Sequence, residues 1–182
     1  MADPKDVTSI PLSFLNSGFM NGPVARPLRI LAEYLEPMDR LRRAGIRDTI
    51  VFFGSARTDR PEVAAERMAA FNAELARSGS LTPELEKAKA VAESSVKLAR
   101  YYSDAVELSR RLTEWSQKLT GNHDFIICSG GSGGMMEAAN RGAAMAGGKT
   151  IGLNIQLPLE QQVNQWVPRE LAFNFHYFFM RK

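Results

Sequence analysis

Apolar and polar positions along the chain repeat at two different periods. From Ala25 to Gly45, Leu28, Leu31, Leu35, Met38 and Leu41 recur at three- and four-residue intervals, the spacing of a helix with one buried stripe. Pro37 interrupts that run and predicts a kink or a split, and Gly45 predicts its end. The pattern then changes. Thr49–Phe53 is β-branched or aromatic throughout and stops at Gly54-Ser55, which predicts a strand covered on both faces, as in a parallel sheet. Pro61 opens a helical segment that "SGSLT" breaks, and Pro83 opens a longer one reaching about Leu119. Within it, Tyr101-Tyr102-Ser103 reads as an aromatic pair packed on the core, with a bend as the alternative.

A second apolar strand is predicted at Phe125–Cys128. A helix over "GGMMEAANRGAAMAG" follows, ended by Gly147-Gly148, and then a third strand in "KTIGLNI". "PLEQQVNQWVP" is a loop or short helix, "ELAFNF" a further strand, and "HYFFMRK" the opening of another helix. Helices alternating with short buried strands imply an α/β fold, a Rossmann-like parallel sheet with flanking helices. We place the boundary of an N-terminal arm and helical extension at residues 1–47 and the nucleotide-binding portion at 48–182. The first ~23 residues read as irregular, with Asn, Gly and Pro punctuation.

Composition narrows the possibilities. Of the 182 residues, 45% are hydrophobic and 24% charged, as in ordinary globular domains. The net charge of +3 comes from interspersed charges of both signs, so no nucleic-acid footprint is seen. One cysteine, Cys128, permits no intrachain disulfide, and two distant histidines, His123 and His176, lack metal-ligand spacing. No apolar run reaches membrane-spanning length and no secretory leader opens the chain, so a cytoplasmic setting without membrane partners is expected.

The chemistry concentrates where the apolar strands end, in "GSAR" after the first and "SGGSGG" after the second. In a parallel sheet, ligands bind beyond the carboxyl ends of the strands. Gly130, Gly131, Gly133 and Gly134 allow backbone N–H groups to approach a ligand closely, and a helix N-terminus beside them favours a phosphate. The reading is a nucleotide or sugar-phosphate site, with that helix end open to solvent. A tight turn serving only helix–sheet packing is the alternative. Neither familiar glycine motif fits. "GGKT" leads into a strand instead of following one, and GxGxxG would need a glycine where Met136 stands.

Taken together and in order, "FFGSAR", "SGGSGGMMEAANRGA", "GLNIQLPLEQ" and "FHYFFMRK" resemble the LONELY GUY family, long labelled lysine-decarboxylase-like, in its larger bacterial branch. The resemblance spans roughly Phe14 to Lys182. It implies a dimeric Rossmann-like nucleoside 5′-monophosphate phosphoribohydrolase, releasing a free base and ribose 5-phosphate from AMP-like or cytokinin nucleotides. It implies no metal and no organic cofactor. By position, Arg181 matches the catalytic arginine and Lys182 its neighbour. Glu160 matches an acidic substrate-site position. Gly54, Ser55 and Arg57 match the first loop, and Ser129, Gly130, Gly131, Ser132, Gly133 and Gly134 the second. Glu137, one turn into the following helix, either caps that helix or binds ribose. Arg57 has phosphate or Asp59 as its alternative partners.

The family's PGGxGTxxE motif, with its catalytic glutamate, is not found in these 182 residues. The sequence is therefore expected to be partial and, alone, inactive. A second class of function stays open, a non-catalytic Rossmann-like carrier or sensor of a nucleotide or phosphate. An amino-acid decarboxylase is disfavoured, since nothing marks a lysine for pyridoxal phosphate.

Overall fold

The computed structural model describes residues 10–120, 123–157 and 162–182. Four strands, β1 (Thr49–Phe52), β2 (Ile126–Ser129), β3 (Thr150–Ile155) and β4 (Ala172–Phe175), form one parallel sheet in the order β1-β2-β3-β4. The helices are α1 (Ser17–Asn21), α2 (Arg26–Arg43), α3 (Pro61–Ser78), α4 (Pro83–Thr120), α5 (Met135–Met145) and the short α6 (Phe178–Arg181). The Rossmann-like α/β architecture is the one the sequence predicts. Because side chains alternate along a strand, Ile50, Phe52 and Ile127 pack with Ala139 and Ala143 of α5 and Leu112 of α4 on one face. On the other, Ile126, Cys128, Ile151, Ile155, Phe173 and Phe175 meet Leu41 of α2, Ala44 just after it and Met180 of α6. Fully burying side chains of this size contributes roughly 1.5–3 kcal/mol each.

Four expectations need correction. The strand β1 was expected to be covered on both faces; it lies at the edge of the sheet, and Val51 remains 47% exposed. A short buried-looking apolar run cannot reveal which strand ends up outermost. A split of the helix at Pro37 does not occur, and α2 runs through it. Proline in a helix interior costs roughly 3 kcal/mol, but tertiary anchors hold α2 on both sides. The Glu33 carboxylate accepts the N–H groups of His176 and Tyr177 at 2.8 and 3.0 Å, and Arg40 donates to the carbonyls of Arg169, Glu170 and Ala172. The N-terminal arm is not wholly irregular, since α1 forms with Asn16 capping it through Phe19 N–H. Finally, α4 is unbroken at Tyr101-Tyr102-Ser103, and only Tyr102 of the pair is buried.

The end of α2 follows the sequence. Gly45 takes φ +68°, and the Gly45 and Ile46 N–H groups donate to the Arg42 and Leu41 carbonyls, the five-to-two and six-to-one bonds of a Schellman cap respectively.

One contact fixes how near the glycine loop lies to the sheet. Gly131 has φ +73°, and a Cβ there would stand 2.9 Å from the Cα of Gly152 on β3. Gly79 and Gly147 have similar φ values, +66° and +68°, but open space around them. Replacing either of the latter by Ala is expected to cost only the backbone strain, about 1 kcal/mol. Gly131→Ala adds a backbone collision and is expected to cost at least twice that. Urea unfolding of the three variants checks the difference; equal losses would mean the Gly131–Gly152 approach is not tight.

Candidate functional site

Where β1, β2 and β3 end, an open cleft of about 780 Å³ lies between α2 and α6. Its floor is apolar, made by Val51 and Phe53 from the β1 end, Ile151 and Leu153 of β3, and Leu41 of α2. Its upper edge is Gly54, Ser129, Gly130 and Met136, and its C-terminal wall is Phe178, Arg181 and Lys182. The size is that of a small-molecule site. Among the described residues no side-chain carboxylate lines it, and Arg181 and Lys182 are its charged side chains. Both cationic groups sit near the Phe178 ring, at 5.3 and 5.1 Å from its centroid. A Cβ on Gly130 would lie 3.8 Å from Arg181 Nη1 and 2.5 Å from Met136 Sδ, so only glycine leaves backbone accessible beside that arginine.

The remaining candidates divide. Gly54, Ser129 and Gly130 line the cleft with Arg181 and Lys182. Gly131 and Gly134 are buried, Gly134 with φ +65° and no room for a Cβ against the carbonyl of Ser55. Ser132 is buried and Gly133 half-buried; Asn164 Nδ2 lies 3.0 Å from the Ser132 carbonyl. The expectation of a free helix end is corrected: Met135 N–H, at the start of α5, donates to the Ser55 carbonyl at 3.0 Å. The two loops therefore pack on each other, and the first amide of α5 is spoken for. Ser55 Oγ accepts the Arg57 N–H at 3.1 Å. The Arg57 side chain is exposed, and Asp59 is occupied by Arg67 and Ser95. Glu160 lies outside the described residues.

Glu137 is 6% exposed and faces away from the cleft. It pairs with Arg60 at 2.5 Å, at the start of α3, and accepts the Trp166 indole N–H at 3.2 Å. The pair raises the Arg60 pKa above its ordinary value, chiefly through the hydrogen bond to Glu137. The buried Tyr102 hydroxyl beside it is pushed up by desolvation, against the opposing pull of Arg141. Glu137 thus ties α3, α5 and the segment after β3 together.

Sequence reasoning passed over the residues that hold the loop in place. Asn140, fully buried on α5, donates to Thr150 Oγ1 at 2.7 Å and to the Ile151 carbonyl at 3.2 Å. Its Oδ1 accepts from Ser129 Oγ at 2.7 Å and from Asn164 Nδ2 at 2.9 Å. Ser129 Oγ in turn accepts the Gly131 N–H at 3.1 Å, and Asn164 N–H donates to the Gly131 carbonyl at 2.7 Å. The only signal in the sequence was a polar side chain on the apolar face of a helix.

The fold and site are thus a parallel α/β sheet with a glycine loop and a cationic cleft at the C-terminal edge of its strands. The model of the SLOG cluster4 family matches residues 104–174, from the second half of α4 into β4. This match fits a SLOG/LOG-like superfamily and a nucleotide-related SLOG-type fold. The matched span contains the glycine loop, Asn140 and Asn164, and ends before Arg181. No curated protein matches the chain. No described helix is long and apolar enough to cross a membrane.

Two outcomes follow from this geometry. Asn140→Ala strands buried partners on Ser129, Thr150 and Asn164, each unsatisfied group costing ~1–3 kcal/mol, so a total loss of roughly 2–4 kcal/mol is expected in denaturant unfolding. A loss under 0.5 kcal/mol would show that the network carries little. Cys128 lines the cleft but is 3% exposed, and burial pushes its thiol up to about 12. Its reaction with iodoacetamide at pH 8 should be far slower in the native chain than in urea, because the thiolate is the reacting form.

Proposed function

We propose that the cleft binds a nucleoside 5′-monophosphate and that the fold serves a phosphoribohydrolase, cleaving the N-glycosidic bond of an AMP-like nucleotide with water to give free base and ribose 5-phosphate. The observation that carries this reading is the pairing, in one cleft, of an apolar floor with Arg181 and Lys182 beside Gly130. A base and ribose suit the former. A phosphate suits the latter, through a planar guanidinium fork and a second fixed charge. The SLOG match is compatible with a nucleotide-processing enzyme.

Bond cleavage at C1′ builds positive charge on the ribose as the base departs. A carboxylate near that carbon stabilises the charge and orients the water. The cleft's own residues supply the opposite half of the arrangement. Arg181 fixes the anionic end, Phe178 and Leu153 exclude water from one side, and Gly130 leaves backbone exposed for contact. Glu137 cannot serve as the carboxylate, being committed to Arg60 and Trp166 away from the cleft.

The absence of a lining side-chain carboxylate among the described residues favours a second reading, in which this chain holds a nucleotide without cleaving it. Titration calorimetry with AMP and an assay for free adenine separate the two. Binding should weaken ~10–100-fold in Arg181→Ala, the loss expected for a charged hydrogen bond. Adenine release by the 182 residues should fall ~10²–10⁴-fold below an enzyme with its carboxylate in place. Release at a normal enzymatic rate would support the hydrolase over the carrier and require a carboxylate beyond the lining described here. Absence of AMP binding would overturn both readings.

A further inference from the structure

The cationic wall of the cleft stands on little structure of its own. Arg181 and Lys182 lie at the end of α6, a single turn from Phe178 to Arg181. One turn of helix is not stable by itself, because fixing its first residues costs more than the first hydrogen bond returns. Phe178 and Phe179 are 53% and 55% exposed, and it is Met180 that packs on the core. The place of Arg181 beside Gly130 therefore has to be set from outside α6.

We propose that Glu33 and Arg29, both on α2, are positioning residues for Arg181 and Lys182, and that holding this wall in place is a task of the N-terminal extension. The Glu33 carboxylate accepts both amides of the turn that leads into α6, His176 at 2.8 Å and Tyr177 at 3.0 Å. Hydrogen bonds to a charged acceptor are the strong ones, and two on one carboxylate fix direction as well as distance. Tyr177, the residue just before α6, is buried; its hydroxyl accepts from Arg29 Nε at 3.2 Å, and the Arg26 guanidinium lies 5.6 Å from its ring centroid. Arg29 is anchored in turn. Its Nη1 donates to the carbonyls of Met20 and Gly22, at 2.6 and 2.8 Å, where α1 ends. An unbroken series of contacts thus runs from the N-terminal arm through Arg29 and Tyr177 to α6, with Glu33 as a second tie.

The helix α2 is suited to this task because it also builds the cleft. It supplies Leu41 to the apolar floor, about two turns from Glu33, so floor and cationic wall are referred to one element. Neither Glu33 nor Arg29 lines the cleft, and a change at Glu33 would reach a bound ligand only through α6. Misplacing an interacting group by about 1 Å is enough to forfeit much of its effect. The inference rests on the reading of the cleft as a nucleotide site.

Titration calorimetry with AMP and amide hydrogen exchange of the 182-residue chain test it together. Glu33→Ala should weaken AMP binding ~3–10-fold and speed exchange at the His176 and Tyr177 amides, with the circular dichroism unchanged. Glu33→Gln, which keeps one acceptor oxygen, should fall between the unsubstituted chain and Glu33→Ala in both measurements. Added to Arg181→Ala, Glu33→Ala should weaken binding by less than about twofold more, since its effect passes through that side chain, whereas a loss caused by general destabilisation would add in full. Unchanged AMP affinity or unchanged exchange in Glu33→Ala, or an equal loss with and without Arg181, would overturn the inference and leave the reading of the cleft standing. No AMP binding by the unsubstituted chain would overturn that reading, and this inference with it.

Discussion

The geometry of the site depends on one buried amide. All four hydrogen-bonding positions of the Asn140 side chain are filled, two by β3 and one each by Ser129 and Asn164. It therefore locks α5, the end of β2, the start of β3 and the segment after β3 to one another. The glycine loop can be clamped only because Gly131 and Gly152 bring their backbones into contact. In a low-dielectric interior such a network is strong when complete and costly when one member is missing. Its effect on the cleft is to give Gly130 a fixed position beside Arg181 without either residue belonging to the network.

The distribution of charge follows the same separation. Acidic groups near the sheet's edge are engaged elsewhere, Glu137 with Arg60 and Asp59 with Arg67, while Arg57 is left exposed and Arg181 and Lys182 face the cleft. The positive charge of the cleft thus comes as much from the carboxylates held away from it as from the cations within it.

The elements whose signals are local were readable from the sequence. β2 and β3 are short, mostly apolar segments bounded by glycines, α3 and α4 open with proline, and Gly45 and Gly147 stop helices through φ values that few other residues adopt. What escaped depends on contacts distant along the chain. Neither the edge position of β1 nor the continuity of α2 through Pro37 has a local signature, since the first is set by strand order and the second by Glu33 and Arg40 bonding residues more than a hundred positions away. At the site, the resemblance singled out the glycines as a group. The structure divides them into Gly130 at the cleft and Gly131 and Gly134 in the packing, and transfers the structural weight to Asn140 and Asn164. An asparagine in a helix reads as solvated until its neighbours are known.

The strand order has a consequence for how the chain assembles. β2 and β3 are separated by 20 residues and β3 and β4 by 16, but 73 residues lie between β1 and β2. Closing the longer loop costs only about 1 kcal/mol more entropy than closing the 20-residue one, yet that intervening chain must also form α3 and α4. Kinetically, the three-strand unit β2-β3-β4 with α5 has the shorter-range contacts and is favoured to form first. The edge strand β1 then adds to a surface already built. The glycine loop would be shaped in the early unit, whereas the Gly54 side of the cleft is completed only when that last strand docks.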